Sequence, residues 1–422
     1  MNLRNELARP QISLIKEDAD TKETVSGAAF SLCTAQDIYN VDGEKIVEAG
    51  TELTTLTTGE DGTAICDMML PLQDENYVAT GSAVSGSAIS VESAAVETGN
   101  SEENSISQAL NSGMYYLKEI SVSDSYYLDE EPIPVQLCYK DAVTPVIYVN
   151  CRKENKQTTN EIDKLSVADS SEIAGCNLVI TDAEGKEIIS WTSGDKDSVK
   201  VSVTDKDGYC NLKYSFDEKG NLHVEGLLHD KDYTLTETRP ADGYVTADAI
   251  VYQIKQKTAE DGSLSSVVSI KQEDGTYADQ EDDKTVMVDE QTHIQLLKLD
   301  KKSGQALGGA KFVVTDSEGK EVMKFVTKDE AYDITGKLVV GETYTFTETS
   351  APSGYQLAKP VKVTIKDSAE VQMVTVKDAP IPDVPDTPQT GGTLPILPLA
   401  AGFLGVAAAA LMVWRKRGVV KK

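Results

Sequence analysis

The chain has 422 residues and a formal net charge of −29. So acidic a surface repels phosphate backbones, which excludes nucleic acid as a partner. Three histidines and six cysteines without a Cys-x-x-Cys pair offer no zinc spacing, and no His-centred triad or phosphate loop is visible, so neither metal, cofactor nor enzyme activity is expected.

The chain opens Met1-Asn2-Leu3-Arg4-Asn5-Glu6-Leu7, which lacks the basic and then apolar pattern of a signal peptide. Residues 1–10 therefore read as the remnant of a preceding domain with its linker. From residue 11 onward, short runs of β-branched and aromatic residues are broken by Gly, Asp, Pro and Asn turns, with no long helical period. Segments repeat. GCNLVITDAEGKEIISW (175–191) matches GAKFVVTDSEGKEVMKF (309–325), and DYTLTETRPADGY (232–244) matches TYTFTETSAPSGY (343–355). SGAAFSLCTA (26–35) and MYYLKEISVSDSYY (114–127) form a looser copy.

The fold predicted is all-β: three tandem Ig-like sandwiches over 11–157, 158–290 and 291–379. The first carries an insertion, 73–111, rich in Ser, Ala, Gly and Glu, which reads as a surface loop and as the place for a ligand. In the second, Asp205-Lys206-Asp207-Gly208 lacks the remaining ligands of a calcium loop and reads as a hairpin turn. Cys33, Cys66, Cys138 and Cys151 in the first unit, and Cys176 and Cys210 in the second, permit disulfides in an exported protein. Several sit in apolar strand patterns and read as buried thiols. A Pro-rich spacer, 380–390, and an apolar span with a basic tail, 391–422, close the chain.

Strand alternation turns charged residues inward. Glu348 shares a face with Tyr344 and Phe346, Glu237 with Tyr233 and Leu235, and Glu119 with Tyr115 and Leu117. At the start of each unit, Lys16 follows Ile12 and Leu14, Lys164 follows Ile162, and Lys298 follows Ile294 and Leu296. At the ends, Asp289 follows Met287 and Asp378 follows Val374 and Val376. In the first unit the equivalent is Asn155 or Asn150, and Asn155 fits the parity of Ile147 and Val149 better. Unpaired buried charge is costly, so these groups must meet one another or be chemically changed.

The tail reads Thr387-Pro388-Gln389-Thr390-Gly391, then an apolar run from Leu394 to Trp414, then Arg415-Lys416-Arg417. Such a run suits one membrane-spanning helix, shortened by Pro395 and Pro398, and the basic stop suits a cytoplasmic C-terminus.

This three-part tail resembles the sorting signal of Gram-positive surface proteins, Leu-Pro-any-Thr-Gly followed by an apolar span and basic residues. The resemblance implies transient membrane insertion, sortase cleavage between Thr390 and Gly391, and transfer of the Thr390 carbonyl to peptidoglycan. Thr387 stands where Leu is usual. The three units resemble collagen-adhesin B-type domains, the prealbumin-like Ig fold of SpaA-like pilins. The residues that carry this are Lys298-Leu299-Asp300, Gly309-Ala310 and the box from Glu348 to Tyr355. The second unit departs with Ser166 and Arg239-Pro240-Ala241, and the first lacks the Ala-Pro-x-Gly-Tyr step.

What the resemblance implies is an intramolecular isopeptide bond in each unit: Lys298 with Asp378 and Glu348, Lys164 with Asp289 and Glu237, Lys16 with Asn155 and Glu119. The Glu would catalyse by relaying protons. Ordinary buried ion pairs, or lysines snorkelling at a strand edge, are the other reading. On the same template, Asn5 would end the last strand of a missing domain. The family implies a wall-anchored stalk or adhesin whose partners are sortase, peptidoglycan and a host matrix or surface ligand. Two alternatives stand beside it: a tip or basal pilus subunit, since the Tyr-Pro-Lys motif of shaft subunits is missing, and the non-catalytic end of a larger surface enzyme.

Overall fold

Alternation shapes the strands. In Ile294–Asp300, every second residue is buried, Ile294, Leu296, Lys298 and Asp300, while those between are partly exposed. The computed structural model describes residues 9–39, 44–70, 115–138 and 146–382. Asn5, the insertion 73–111, the sorting motif from Thr387 to Gly391 and the apolar run 394–414 lie outside the described residues. Among the described residues, no helix is long and apolar enough to cross a membrane.

Three sandwiches follow one plan. In the third, a sheet of Tyr332–Asp333, Ile294–Asp300 and Gln372–Asp378 faces a sheet ordered Glu321–Val326, Lys311–Thr315, Thr343–Ser350 and Val361–Thr364. The first repeats it, with Thr63–Cys66, Arg9–Asp18 and Val146–Asn155 against Glu52–Thr57, Ala29–Thr34, Tyr115–Ser121 and Ile133–Val135. The second is larger: Thr159–Ser166 and Lys284–Asp289 lie in a four-stranded sheet, and the facing sheet has seven strands. Each sandwich has its own apolar cluster, centred on Phe30 and Tyr115, on Tyr233 and Tyr252, and on Phe312 and Phe346. In every sandwich the first strand pairs parallel with the last.

Two local expectations change. The first strand begins at Arg9, inside the stretch assigned to a linker, because its ladder with Val146–Asn155 already pairs Arg9 with Val146. The stretch read as a hairpin turn is a single 3-10 turn, Asp205–Asp207. There the Thr204 N–H donates to Asp207 Oδ2 at 2.9 Å and Gly208 closes the turn at φ 92°. Cys33, Cys66, Cys151 and Cys176 are buried thiols.

The described residues up to Pro380 form one compact unit, and hydrogen bonds cross both domain junctions. At the first, Leu128 N–H donates to Gln256 Oε1 at 2.8 Å while Gln256 Nε2 donates to Leu128 O at 2.9 Å, and the Tyr127 and Ser266 hydroxyls meet at 2.8 Å. At the second, Thr246 N–H donates to Asp367 Oδ1 at 2.9 Å, and Gly243, at φ 89°, lies against Gly336.

Candidate functional site

The ladder between first and last strands sets the geometry. Lys298 stands opposite Val376 and Asp300 opposite Asp378; Lys164 stands opposite Met287 and Ser166 opposite Asp289; Lys16 stands opposite Lys153 and Asp18 opposite Asn155. In all three domains the Asx thus lies one inward-facing position beyond the lysine, on the neighbouring strand. Asn150 stands opposite Ser13, out of this register.

The third group comes from the facing sheet. Phe312 pairs with Glu348, Leu178 with Glu237 and Phe30 with Glu119, each just after a register shift in the ladder. A bulge of this kind bends a strand and re-aims its side chains. All nine residues are at most 5% exposed.

The contacts are closest in the third and second domains. Lys298 Nζ lies against Asp378 Oδ1 and 3.2 Å from Glu348 Oε1. Lys164 Nζ lies against Asp289 Oδ1 and 3.2 Å from Glu237 Oε1. In the first domain Asn155 Nδ2 donates to Glu119 Oε2 at 2.5 Å and to Tyr127 O at 2.8 Å, and Lys16 Nζ donates to Glu17 O at 3.3 Å. Asn155 Oδ1 is buried and has no hydrogen-bond partner among the described residues.

Each glutamate is fixed by a backbone donor that composition could not reveal. Asp129, Ala247 and Ala358 N–H donate to Oε2 of Glu119, Glu237 and Glu348 at 3.1, 2.8 and 2.7 Å. In the second and third domains this turns Oε1 toward the lysine. The spacing of ten residues recurs in all three and is the signal that could have found these donors.

Burial moves the proton affinities toward neutral partners. It draws Lys16 down to about 8, against the pull of Glu119. It raises Glu119 and Glu348, and lifts Asp289 to about 6 with Lys164 opposing and Glu237 assisting. A neutral amine beside a neutral carboxyl or amide is the state in which nucleophilic attack on carbon is possible.

Among the described residues, one group of side chains has its ligand atoms gathered as a metal would need: Cys176, Glu237 and Asp289, within 4.8 Å of one another. Lys164 Nζ contacts both of these carboxylates, so the lysine amine occupies the space between them.

The family model described as SpaA, prealbumin-like fold domain, matches residues 10–152, 158–268 and 292–380. No curated protein matches the chain. Among solved structures, it is similar to the Bacillus anthracis TIE protein, at 19% identity and TM-score 0.36, over 88% of this chain and 51% of that one. This chain thus spans about half the length of that protein. It is also similar to the major pilin SpaD from Corynebacterium diphtheriae, at 12% identity and TM-score 0.35, over 90% and 98% of the two chains. BcpA, the major pilin subunit of Bacillus cereus, is similar at 16% identity and TM-score 0.28, over 88% and 100%.

Proposed function

We propose, for a chain that belongs to the SpaA prealbumin-like domain family, a cell-surface stalk or adhesin whose domains crosslink themselves and whose C-terminus is joined to the cell wall. The observation that carries this is the same Lys-Glu-Asx register in three successive buried cores.

In each domain, lysine Nζ attacks the Asx carbonyl carbon and an N–C bond forms. At Asp289 and Asp378 a C–O bond breaks and water leaves; at Asn155 a C–N bond breaks and ammonia leaves. The neighbouring glutamate takes a proton from the amine and returns it to the leaving group. Exclusion of water and fixed neighbours supply what an external enzyme otherwise would. Sequence separations of 125 and 80 residues are closed in the second and third domains. By analogy with disulfides, chain entropy values each closure at about 4 to 5 kcal/mol.

Attachment rests on the sequence pattern: sortase would cut after Thr390 and pass its carbonyl to a peptidoglycan amine, leaving the domains outside the cell. Thr387 to Gly391 are the residues it would read, and pilus subunits are further partners that this family membership suggests.

The test is the denatured intact mass of residues 1–388. A deficit of one ammonia and two waters is expected, each component vanishing in Lys16→Ala, Lys164→Ala or Lys298→Ala. An undiminished mass would remove the crosslinks and leave buried ion pairs. For attachment, Thr390→Ala is expected to leave the protein in detergent-soluble membranes rather than in the wall fraction.

A further inference from the structure

The second domain differs from the others at one buried position. Cys176 follows Gly175 where Ala28 and Ala310 stand in the first and third domains. The three positions are equivalent: the N–H of each donates to a hydroxyl, Ser193, Thr58 and Thr327 in turn, at 3.0, 3.0 and 3.1 Å. Cys176 Sγ reaches Asp289 Oδ2 at 3.8 Å, a sulfur hydrogen bond. In the third domain the corresponding oxygen, Asp378 Oδ2, is buried without a hydrogen-bond partner among the described residues.

The geometry points to Cys176 as an oxyanion donor for the Lys164–Asp289 crosslink, its S–H selecting Oδ2 as the oxygen that is kept. This rests on the crosslinking reading above. Lys164 Nζ faces the other oxygen, Oδ1, with Glu237 Oε1 3.2 Å from the same nitrogen. In the step, the neutral amine adds to Cγ of protonated Asp289 and negative charge gathers on Oδ2, where the S–H stabilises it. Glu237 carries one proton from Nζ to the Oδ1 hydroxyl. The Cγ–Oδ1 bond then breaks, water leaves, and Oδ2 becomes the amide oxygen while the thiol keeps its proton. Burial, with Glu237 beside it, pushes the thiol up to about 12, which suits a donor and does not suit a thiolate nucleophile or metal ligand.

The test follows crosslinking in time. The full chain is made by cell-free synthesis, quenched in denaturant at intervals and digested, and peptides joined through Lys164 and Lys298 are quantified by mass. Cys176→Ala is expected to slow the Lys164 crosslink roughly tenfold, less than the loss of a strong oxyanion donor costs because S–H donates weakly. Cys176→Ser should restore it, and the Lys298 crosslink in the same chain should keep its rate. Ala310→Ser, which offers a donor toward Asp378 Oδ2, should speed the third domain. An unchanged Lys164 rate in Cys176→Ala overturns the inference. Should that variant not fold, an Ala310→Ser rate no faster than wild type overturns it instead. Failure of the crosslinking reading is distinct, since it appears in the wild type as a Lys164 peptide that is never joined, and it takes the inference with it.

Discussion

Lys213 of the second domain reaches Asp18 of the first, Nζ to Oδ2 at 3.2 Å. Asp18 is also the residue opposite Asn155 in the parallel ladder, and Tyr126 OH donates to the same Oδ2 at 3.1 Å. The ion pair therefore ties the end of one buried cluster to the neighbouring domain. Asp300 occupies the matching place in the third domain, where Tyr355 OH donates to it at 2.8 Å.

Removing that tie should loosen the junction without touching the first core. Asp18 is buried but Lys213 is partly exposed, so solvent screening keeps the coupling near 1 kcal/mol. A double-mutant cycle with Asp18→Asn and Lys213→Gln, read by denaturant unfolding, should show that non-additivity. Strictly additive effects would mean that the two domains do not communicate through this pair.

Glu348→Gln should leave the third domain uncrosslinked. Glutamine keeps the shape and can still accept from Ala358 N–H, but it cannot take and return a proton. Relative to the mass calculated for its own sequence, the variant's deficit should shrink by one water while the other two losses persist. Retention of the full deficit would assign the glutamate no role beyond packing.

An uncrosslinked first domain should show a specific pH dependence. Burial holds Lys16 at about 8 in the folded state against the ordinary 10.5. Between those values the unfolded chain binds more protons, so stability rises with pH through that window and carries its full penalty below about 8. In Asn155→Ala, which has no crosslink partner, the denaturation midpoint should climb over this range. The wild type, whose amine has been consumed, should lack that increment. Parallel pH profiles for the two proteins would argue against the assignment.

Gly243 sits at φ 89°, and a Cβ there would come within 2.5 Å of Gly336 O. Gly243→Ala should therefore open the junction between the second and third domains. The left-handed backbone alone costs about 1 to 2 kcal/mol. Faster hydrogen exchange at Thr246 and Thr292, whose N–H groups are bonded at this junction, is the expected readout. Unchanged protection at both amides would show that the contact gives way.

The inward faces were legible because strand alternation has a period of two: Lys298, Glu348 and Asp378 each share parity with apolar neighbours. Three repeats made the pattern visible even where the first unit is divergent. The register between strands was not legible, since no local signal states that Asp378 lies opposite Asp300 or that a bulge adjoins the Phe312–Glu348 pair. Nor were the backbone donors of Asp129, Ala247 and Ala358, which depend on how a loop returns to its strand. Cys176 passed as an apolar strand residue because its role depends on Asp289, 113 residues away.

The parallel pairing of first and last strands also decides where a protease could sever the molecule. With the crosslinks formed, any cut between Lys16 and Asn155, between Lys164 and Asp289, or between Lys298 and Asp378 leaves both pieces covalently joined. Within the span from Lys16 to Asp378, only the connectors 156–163 and 290–297 remain as single-threaded stretches. These are the segments that the junctions enclose, with Gln157, Thr158 and Asn160 buried in one and Thr292 and Ile294 in the other. Every exposed hairpin in that span could be nicked while the molecule kept its continuity.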